Sequence, residues 1–393
     1  MSYNQHYHIM RDGTIKQTNP FTGTEVWCPP GRASRPLPNS SHKVTKKLKK
    51  KISIKEEDYC SFCYRKMLKT PPEKSRIIEK QSKKYEQKHH LQVKELFDTI
   101  PLFRRVSNLF EIVTFDYWHE NYNYELSGDL KEWKYSYLSS KEGKEHCISV
   151  INYKLHIQDV EPDSISDNEK LDKLSNAFFG GCHELIIAGQ HFSPNAEYDN
   201  DLCSSGCLTP EKHYQYIRFT IDSILAIHFK NRFARYVSVF QNWRAPAGAS
   251  FDHLHKQLVA LDEWGTSINK ELELVRSNRN IYNEYLINFA IYYELVIAEN
   301  DHAIAIAEYG HRFPSVGIYS KSAASSLFEH TEEEIRGISD LMQAIHHATG
   351  NHVAANEEWF YAPLDSIDPM PFHVLIKWRI INQAGFEGGT KIY

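Results

Sequence analysis

From Phe178 onward, the spacing of apolar and polar residues separates the chain into recognisable elements. CHELIIA (182–188), YVSVFQN (236–242) and HLHKQLVAL (253–261) alternate or run apolar, as half-buried sheet strands do. Between the first two lie a polar loop, HFSPNAEYDNDLCSSG, and a stretch over 209–231 with helical periodicity. Thr209 is placed to cap that helix, with Pro210 in its first turn and Glu211 behind it. A glycine-bearing turn, APAGAS, separates the second and third strands.

A similar order recurs downstream. A long helix is expected over 267–299, then strands AIAIAEYG and FPSVGIYSK. A helix over 331–349 follows, with Thr331 capping and Glu334 three residues on, and FHVLIKWRI closes the order as a strand. Two tandem strand-helix-strand repeats follow from this pattern, and with them an α+β fold with largely antiparallel sheets. Upstream, 102–115 turns apolar and β-branched, and a long irregular polar region is expected from there to about Lys173. The expected division is an N-terminal segment (1–105), a first repeat (106–265) and a second, degenerate repeat (266–393).

Composition narrows the function. The 393 residues are 41% hydrophobic and 24% charged, which excludes wholesale disorder and a coiled coil. A net charge of -4 does not suit a polyphosphate backbone, so nucleic acid is not the expected partner. The longest apolar stretch, 285–298, is broken by Asn288 and Glu294 and is too short to cross a bilayer, so it reads as a buried helix. No membrane association is expected. The N-terminus lacks a basic and apolar leader, which predicts a cytoplasmic chain, where seven cysteines are buried thiols or metal ligands more readily than disulfides. Only Cys60 and Cys63, in CSFC, have ligand-like local spacing. Residues 43–51, KVTKKLKKK, hold six lysines in nine positions and read as a solvated linker, or alternatively as a docking tail for acidic partners.

The stretch with the most chemical content is HLHKQL. In a strand His253, His255 and Gln257 share one face, each about 6.6 Å from the next, while Leu254 and Leu258 face a core. Neutral imidazole is a good nucleophile near pH 7, and attack on phosphorus gives a phosphoramidate that splits one hard displacement into two easier ones. Gln257 can donate to a phosphate oxygen but cannot shuttle protons.

Asn242, Gly248, Ser250, His253, His255 and Gln257 stand at the mutual spacing of the active-site motif of galactose-1-phosphate uridylyltransferase, and the segment resembles that nucleotidyltransferase branch of the histidine-triad superfamily. The family's proline between the histidines is Leu254 here. Four further stretches resemble the family in the same order. NPFTGTEVWCPPGRASRP supplies Arg32 and Arg35 for phosphates, CSFC the paired cysteines, SNLFEIV Asn108 and Phe110 for the nucleoside, and GCHELIIAGQHFS a metal-binding His191. More weakly, AGFE resembles a sugar-binding Gly-aromatic-Glu and points to Glu387.

The resemblance implies a histidine-triad-like fold and a covalent nucleotidyl intermediate on His255. It also implies one structural zinc per chain on Cys60, Cys63, His191 and His253, with Cys203 or Cys207 as competing donors beside His191 and Cys182 as a third. A homodimer is implied, in which Glu387 serves the partner's acceptor. The family's second metal site uses a paired HxH where this chain reads His373-Val374-Leu375, so that site is expected to be absent. Substrates are a nucleotide sugar with a sugar phosphate or phosphate as acceptor, and base and sugar stay open. A nucleoside-diphosphate-sugar phosphorylase or hydrolase is the alternative among enzymes, and a non-catalytic nucleotide-binding regulatory protein the alternative outside them.

Overall fold

The computed structural model of the chain describes residues 6–31, 45–48, 53–81, 84–324, 326–380 and 385–393. A small antiparallel sheet is made from β1 (Tyr7–Ile9), β2 (Ile15–Thr18) and β3 (Glu25–Cys28). The C-terminus joins it, with Ile392 bridging Glu25 and the Trp27 N–H donating to the Tyr393 carbonyl.

The main sheet takes its remaining strands in chain order: β4 (Glu73–Glu79), β5 (Tyr85–His89), β6 (Phe103–Ser107), β7 (His183–Ala188), β8 (Tyr236–Trp243), β9 (His255–Leu261), β10 (Val296–Glu299), β11 (Ala303–Ala307), β12 (Ser315–Ser320), β13 (Ala355–Phe360) and β14 (His373–Trp378). They lie side by side as β10-β11-β12-β14-β13-β8-β9-β7-β6-β4-β5, every neighbouring pair antiparallel. The fold is α+β with two tandem repeats, as the hydrophobic pattern predicts.

The register makes the repeat explicit. β9 lies between β7 and β8, and β14 between β12 and β13. His255 opens β9 opposite Ile187, the fifth residue of β7, and His373 opens β14 opposite Tyr319, the fifth residue of β12. The halves meet where β8 pairs with β13, Asn242 standing opposite Asn356 and Gln241 opposite Glu357. Helices Pro210–Lys230 and Glu332–Thr349 each precede the seam strand of their own half and pack together over one face of the sheet. Both start as expected: the Thr209 side chain accepts from the Lys212 N–H, and Thr331 and Glu334 form a reciprocal capping box. One core spans both repeats, from Phe103 and Ile186 through Leu254 and Leu258 to Val374 and Ile376.

Two expectations are corrected. The region from 115 to 180 is helical, built of Phe115–Tyr122, Gly128–Ser139, Lys141–Ile157 and shorter turns. Its buried stripes, Leu130, Trp133 and Tyr137 on one helix and Cys147, Val150, Ile151 and Leu155 on the next, recur at helical spacing but are thinly set among Lys and Glu. The expected single helix over 267–299 is helix Thr266–Ser277, further helical turns through Tyr292, and then β10. Among the described residues no helix is long and apolar enough to cross a membrane.

Candidate active site and metal centre

Cys60 and Cys63 occupy a tight turn in which the Cys63 N–H donates to the Cys60 carbonyl, and the Tyr59 and Cys60 N–H groups point at the Cys63 sulfur. His191 follows β7, its backbone N–H held by the buried Glu57 carboxylate at 2.9 and 3.1 Å. Burial pushes Glu57 up to about 7. His253 stands just before β9 and not within it as the alternation predicts, yet the chain still runs alongside β7 there, with the Ala188 N–H donating to the Leu254 carbonyl. His253 Nε2 donates to the Ala188 carbonyl at 2.7 Å, which leaves Nδ1 as its lone-pair atom.

The four donor atoms lie within 4.8 Å of one another. The sulfurs are 3.8 Å apart, the two Nδ1 atoms 3.1 Å, and three of the four sulfur–nitrogen pairs 3.5 to 3.7 Å. With metal–sulfur bonds of about 2.3 Å and metal–nitrogen bonds of about 2.0 to 2.1 Å, a tetrahedron has edges of roughly 3.8, 3.3 and 3.6 Å for these three kinds of pair. The set therefore fits one tetrahedral ion. The competing thiols are engaged elsewhere: Cys182 contacts the Gly180 carbonyl, and Cys203 pairs with Cys207, which also meets Ser204.

On the same side of the sheet the next residues line a cleft of about 390 Å³. His255 is buried to 5% exposure, and its Nδ1 donates to the His253 carbonyl at 2.7 Å, so Nε2 carries the free lone pair. Burial lowers this imidazole to about 4, which keeps it neutral near pH 7. Gln257, Ser250, Asn108 and Phe110 line the same cleft, Phe110 with 45% of its surface open. Asn242 shares the sheet face of His255, since Phe240, two residues before it, pairs with Gln257. Gly248 has φ of +87° at the turn, and a Cβ there would stand 3.8 Å from Asn242 Nδ2. Nine of the predicted residues thus converge: four on the metal cluster, of which His253 also holds His255, and Asn108, Phe110, Ser250, His255 and Gln257 around the cleft, with Asn242 and Gly248 beside them.

Arg32 and Arg35 are outside the described residues. Glu387 sits in the terminal helix Gly385–Thr390, away from the walls of its own chain's cleft. The lysine run is corrected in part. Its backbone is pinned over 45–48, with Lys47 bridging Tyr198 and the Lys46 N–H donating to Asp199 at 3.0 Å, while Lys46 and Lys47 stay exposed.

A profile described as a domain of unknown function, DUF4921, matches residues 10–393. The chain belongs to the DUF4921 family. A comparison with curated proteins finds no match. Among solved structures, an ADP-glucose phosphorylase from Arabidopsis thaliana with bound ADP-glucose has a TM-score of 0.58 at 16% identity, covering 96% of this chain and 93% of that one. A galt-like protein from Arabidopsis thaliana gives 0.54 at 17% identity, covering 85% and 86%. At these identities the likeness establishes the shared fold.

The DUF4921 chain also uses residues that sequence reasoning passes over. His183, at the start of β7, accepts the Ile112 N–H on Nδ1 at 2.9 Å, so its neutral ring carries the proton on Nε2, 3.0 Å from Gln257 Oε1. Asn108 Nδ2 lies 2.9 Å from His183 Nε2 but has no lone pair to accept that proton, so the proton goes to Gln257. The alternation of CHELIIA puts His183 on one face with Leu185 and Ile187, which is the signal that points to it. On the opposite face of β9, fully buried Lys256 meets Glu357 Oε1 at 2.5 Å, and Glu357 Oε2 meets His346 Nε2 at 2.8 Å.

Proposed function

We propose that the protein is a nucleotidyltransferase that moves a nucleoside monophosphate from a nucleoside-diphosphate sugar to a sugar 1-phosphate or inorganic phosphate. The observation that carries this reading is His255: a neutral imidazole, its Nδ1 tied to a backbone carbonyl, at the wall of a cleft shared with Gln257 and Ser250. Nε2 attacks the α-phosphorus, the bond to the bridging oxygen breaks, and sugar 1-phosphate leaves as a phosphate anion that needs little acid assistance. The His253 carbonyl supports the cationic ring while the nucleotide is attached. An oxygen of the second phosphate then breaks the phosphorus–nitrogen bond and restores His255. Gln257 supplies an amide hydrogen to a nonbridging oxygen throughout.

Zinc is the ion proposed for the Cys60, Cys63, His191 and His253 cluster, where it would hold the chain ahead of β9 in place without meeting substrate. A cytoplasmic setting accords with the seven free thiols. Phosphorolysis of a nucleoside-diphosphate sugar is the second reading, favoured by the fold shared with the ADP-glucose phosphorylase. A homodimer in which Glu387 reaches the partner's acceptor is proposed from its position outside its own cleft. The 106–265 repeat is proposed as the catalytic unit.

The test is intact mass after incubation with a panel of nucleoside-diphosphate sugars. A mass gain equal to one nucleoside monophosphate, absent in His255→Ala and removed by phosphate or a sugar 1-phosphate, is expected. Turnover without any adduct, with intersecting initial-rate lines, would remove His255 as nucleophile.

A further inference from the structure

A primary amide is a reversible reader of charge. Its NH2 end attracts a phosphate oxygen and its carbonyl end repels one, and a half turn of the side chain exchanges them. Two such amides, Gln257 and Asn242, stand beside His255, and each has its oxygen taken from behind.

For Gln257 the donor is His183 Nε2 at 3.0 Å, and the proton is on that nitrogen because the Ile112 N–H occupies Nδ1. For Asn242 the donor is Asn356 Nδ2, 2.7 Å from Asn242 Oδ1. Asn356 Nδ2 also donates to the Ala247 carbonyl at 2.8 Å, and Asn356 Oδ1 accepts from Arg379 Nη1 at 3.0 Å. Both chains of bonds begin at a group that only donates, a backbone N–H in one and a guanidinium in the other, so neither can run backwards. Asn356 is 7% exposed and His183 1% exposed, so water has little room to replace them. Each chain ends with an NH2 left over, Asn242 Nδ2 on the Gly248 side and Gln257 Nε2 at the cleft.

We infer that His183 and Asn356 are positioning residues that fix the polarity of Gln257 and Asn242, so that both present N–H groups to the phosphoryl oxygens beside His255. Asn356 comes from β13, so the second repeat sets the donor pattern of the first. The inference rests on the reading of this cleft as a phosphate site.

The experiment measures affinity for inorganic pyrophosphate and for ADP by calorimetry, together with the rate of adduct formation, in zinc-replete full-length protein. Asn356→Asp keeps the shape but offers acceptors only, so Asn242 must turn its NH2 inward and its oxygen toward the anion. Asn356→Ala leaves Asn242 free to turn either way. Loss of at least tenfold in anion affinity and adduct rate is expected for Asn356→Asp, with a smaller loss for Asn356→Ala. A role in shape alone reverses that order, and the reversed order overturns the inference. In an Asn242→Ala background, Asn356→Asp should have no further effect, and His183→Phe none in a Gln257→Ala background, with melting temperature and zinc content checked throughout. Additive losses in both backgrounds overturn it while leaving a wild-type adduct, and hence the proposed reaction, untouched. Wild-type protein that binds pyrophosphate but forms no adduct removes the covalent reaction, and the same pairs of variants still decide the polarity. Wild-type protein that binds neither anion overturns both.

Discussion

His255 and His373 occupy the same place in the two repeats and share their closest hydrogen bond. Each opens its strand, and each Nδ1 lies against the carbonyl two residues back, His253 at 2.7 Å and Pro371 at 3.0 Å. Their surroundings differ. His255 lines an open cleft, whereas His373 is stacked between Tyr319, at 4.8 Å and 15°, and Phe360, at 5.0 Å and 6°. Its Nε2 is 3.7 Å from Glu271, which also accepts the Tyr282 hydroxyl. The neighbours differ: on the flanking strands Ile187 stands where Tyr319 does and Asn242 where Phe360 does, and on the histidine's own strand Gln257 stands where Leu375 does. The same backbone contact fixes the tautomer of both rings, while the neighbouring residues leave one beside a cleft and enclose the other between aromatic rings.

The comparison breaks most directly at the two histidines. His255→Ala should abolish both adduct and turnover by intact mass and initial rate, while His373→Ala should keep the adduct and lower stability by about 1 to 3 kcal/mol in denaturant unfolding, through lost ring stacking and a cavity. An unmodified rate in the first, or a lost adduct in well-folded protein of the second, would reverse the assignment of the repeats.

The metal cluster joins the first repeat, through His191 and His253, to the cysteines of the N-terminal segment. Cys60→Ser is expected to lower zinc from about one equivalent per chain by elemental analysis and to lower the melting temperature with it. Full stability and activity without zinc would show that β9 does not depend on the ion.

Giving the first repeat the second's residue, Gln257→Leu, should slow adduct formation by about 10²- to 10³-fold, the usual cost of one donor lost from a developing charge. Gln257→His should instead shift partition toward water, because a protonatable group then assists the attacking oxygen.

Acid provides a milder probe. Burial lowers His183 and His146 to about 4 each, so between 6.5 and about 4 the unfolded chain binds protons that the folded chain refuses. The contribution of these two rings should be flat above pH 6.5 and fall as pH drops toward 4, by up to about 1.4 kcal/mol per pH unit for each, while the buried carboxyls of Glu57 and Glu111, pushed up to about 7, act in the opposite sense as pH falls from about 7 to 4.5. The check is the difference in denaturant unfolding between wild type and a His183→Phe/His146→Phe double variant: the variant should lose less stability on acidification from pH 6.5 to 4, and an identical pH dependence would mean these rings do not titrate as described. The smallest effect is expected from replacing the six lysines of 43–51 with glutamine, within about twofold in turnover, under roughly 0.5 kcal/mol. Strong loss with salt dependence would instead make that segment an anion contact.

How much is legible in the sequence follows from where the information sits. The chemistry of β9 is local: alternation on one short strand fixes which residues share a face, so the residues of that strand alone suffice to pair His255 with Gln257. The tetrad needs the family resemblance, because His191 and the two cysteines lie far apart in the chain and only folding brings them together. The helices between 115 and 180 escape the pattern because Trp133 and Tyr137 carry a stripe that Lys and Glu dilute. β13 escapes it because ANEEWF looks solvent-facing, and its Glu357 is buried against partners the strand pattern does not show, Lys256 on another strand and His346 on a helix.

That buried pair also guards the alignment of the strand beside it. If β9 slipped one residue along β8, every side chain would exchange faces: His255 would enter the core beneath the helices, and the Lys256 ammonium would emerge at the cleft, abandoning Glu357 without its cation. Stranding a buried carboxylate costs about 3 to 5 kcal/mol, a sizeable fraction of a domain's net stability. Misaligned folding is thereby penalised at the strand whose alignment the chemistry needs, and drift at Lys256 or Glu357 is tolerable only when both change together to residues that fill the same space.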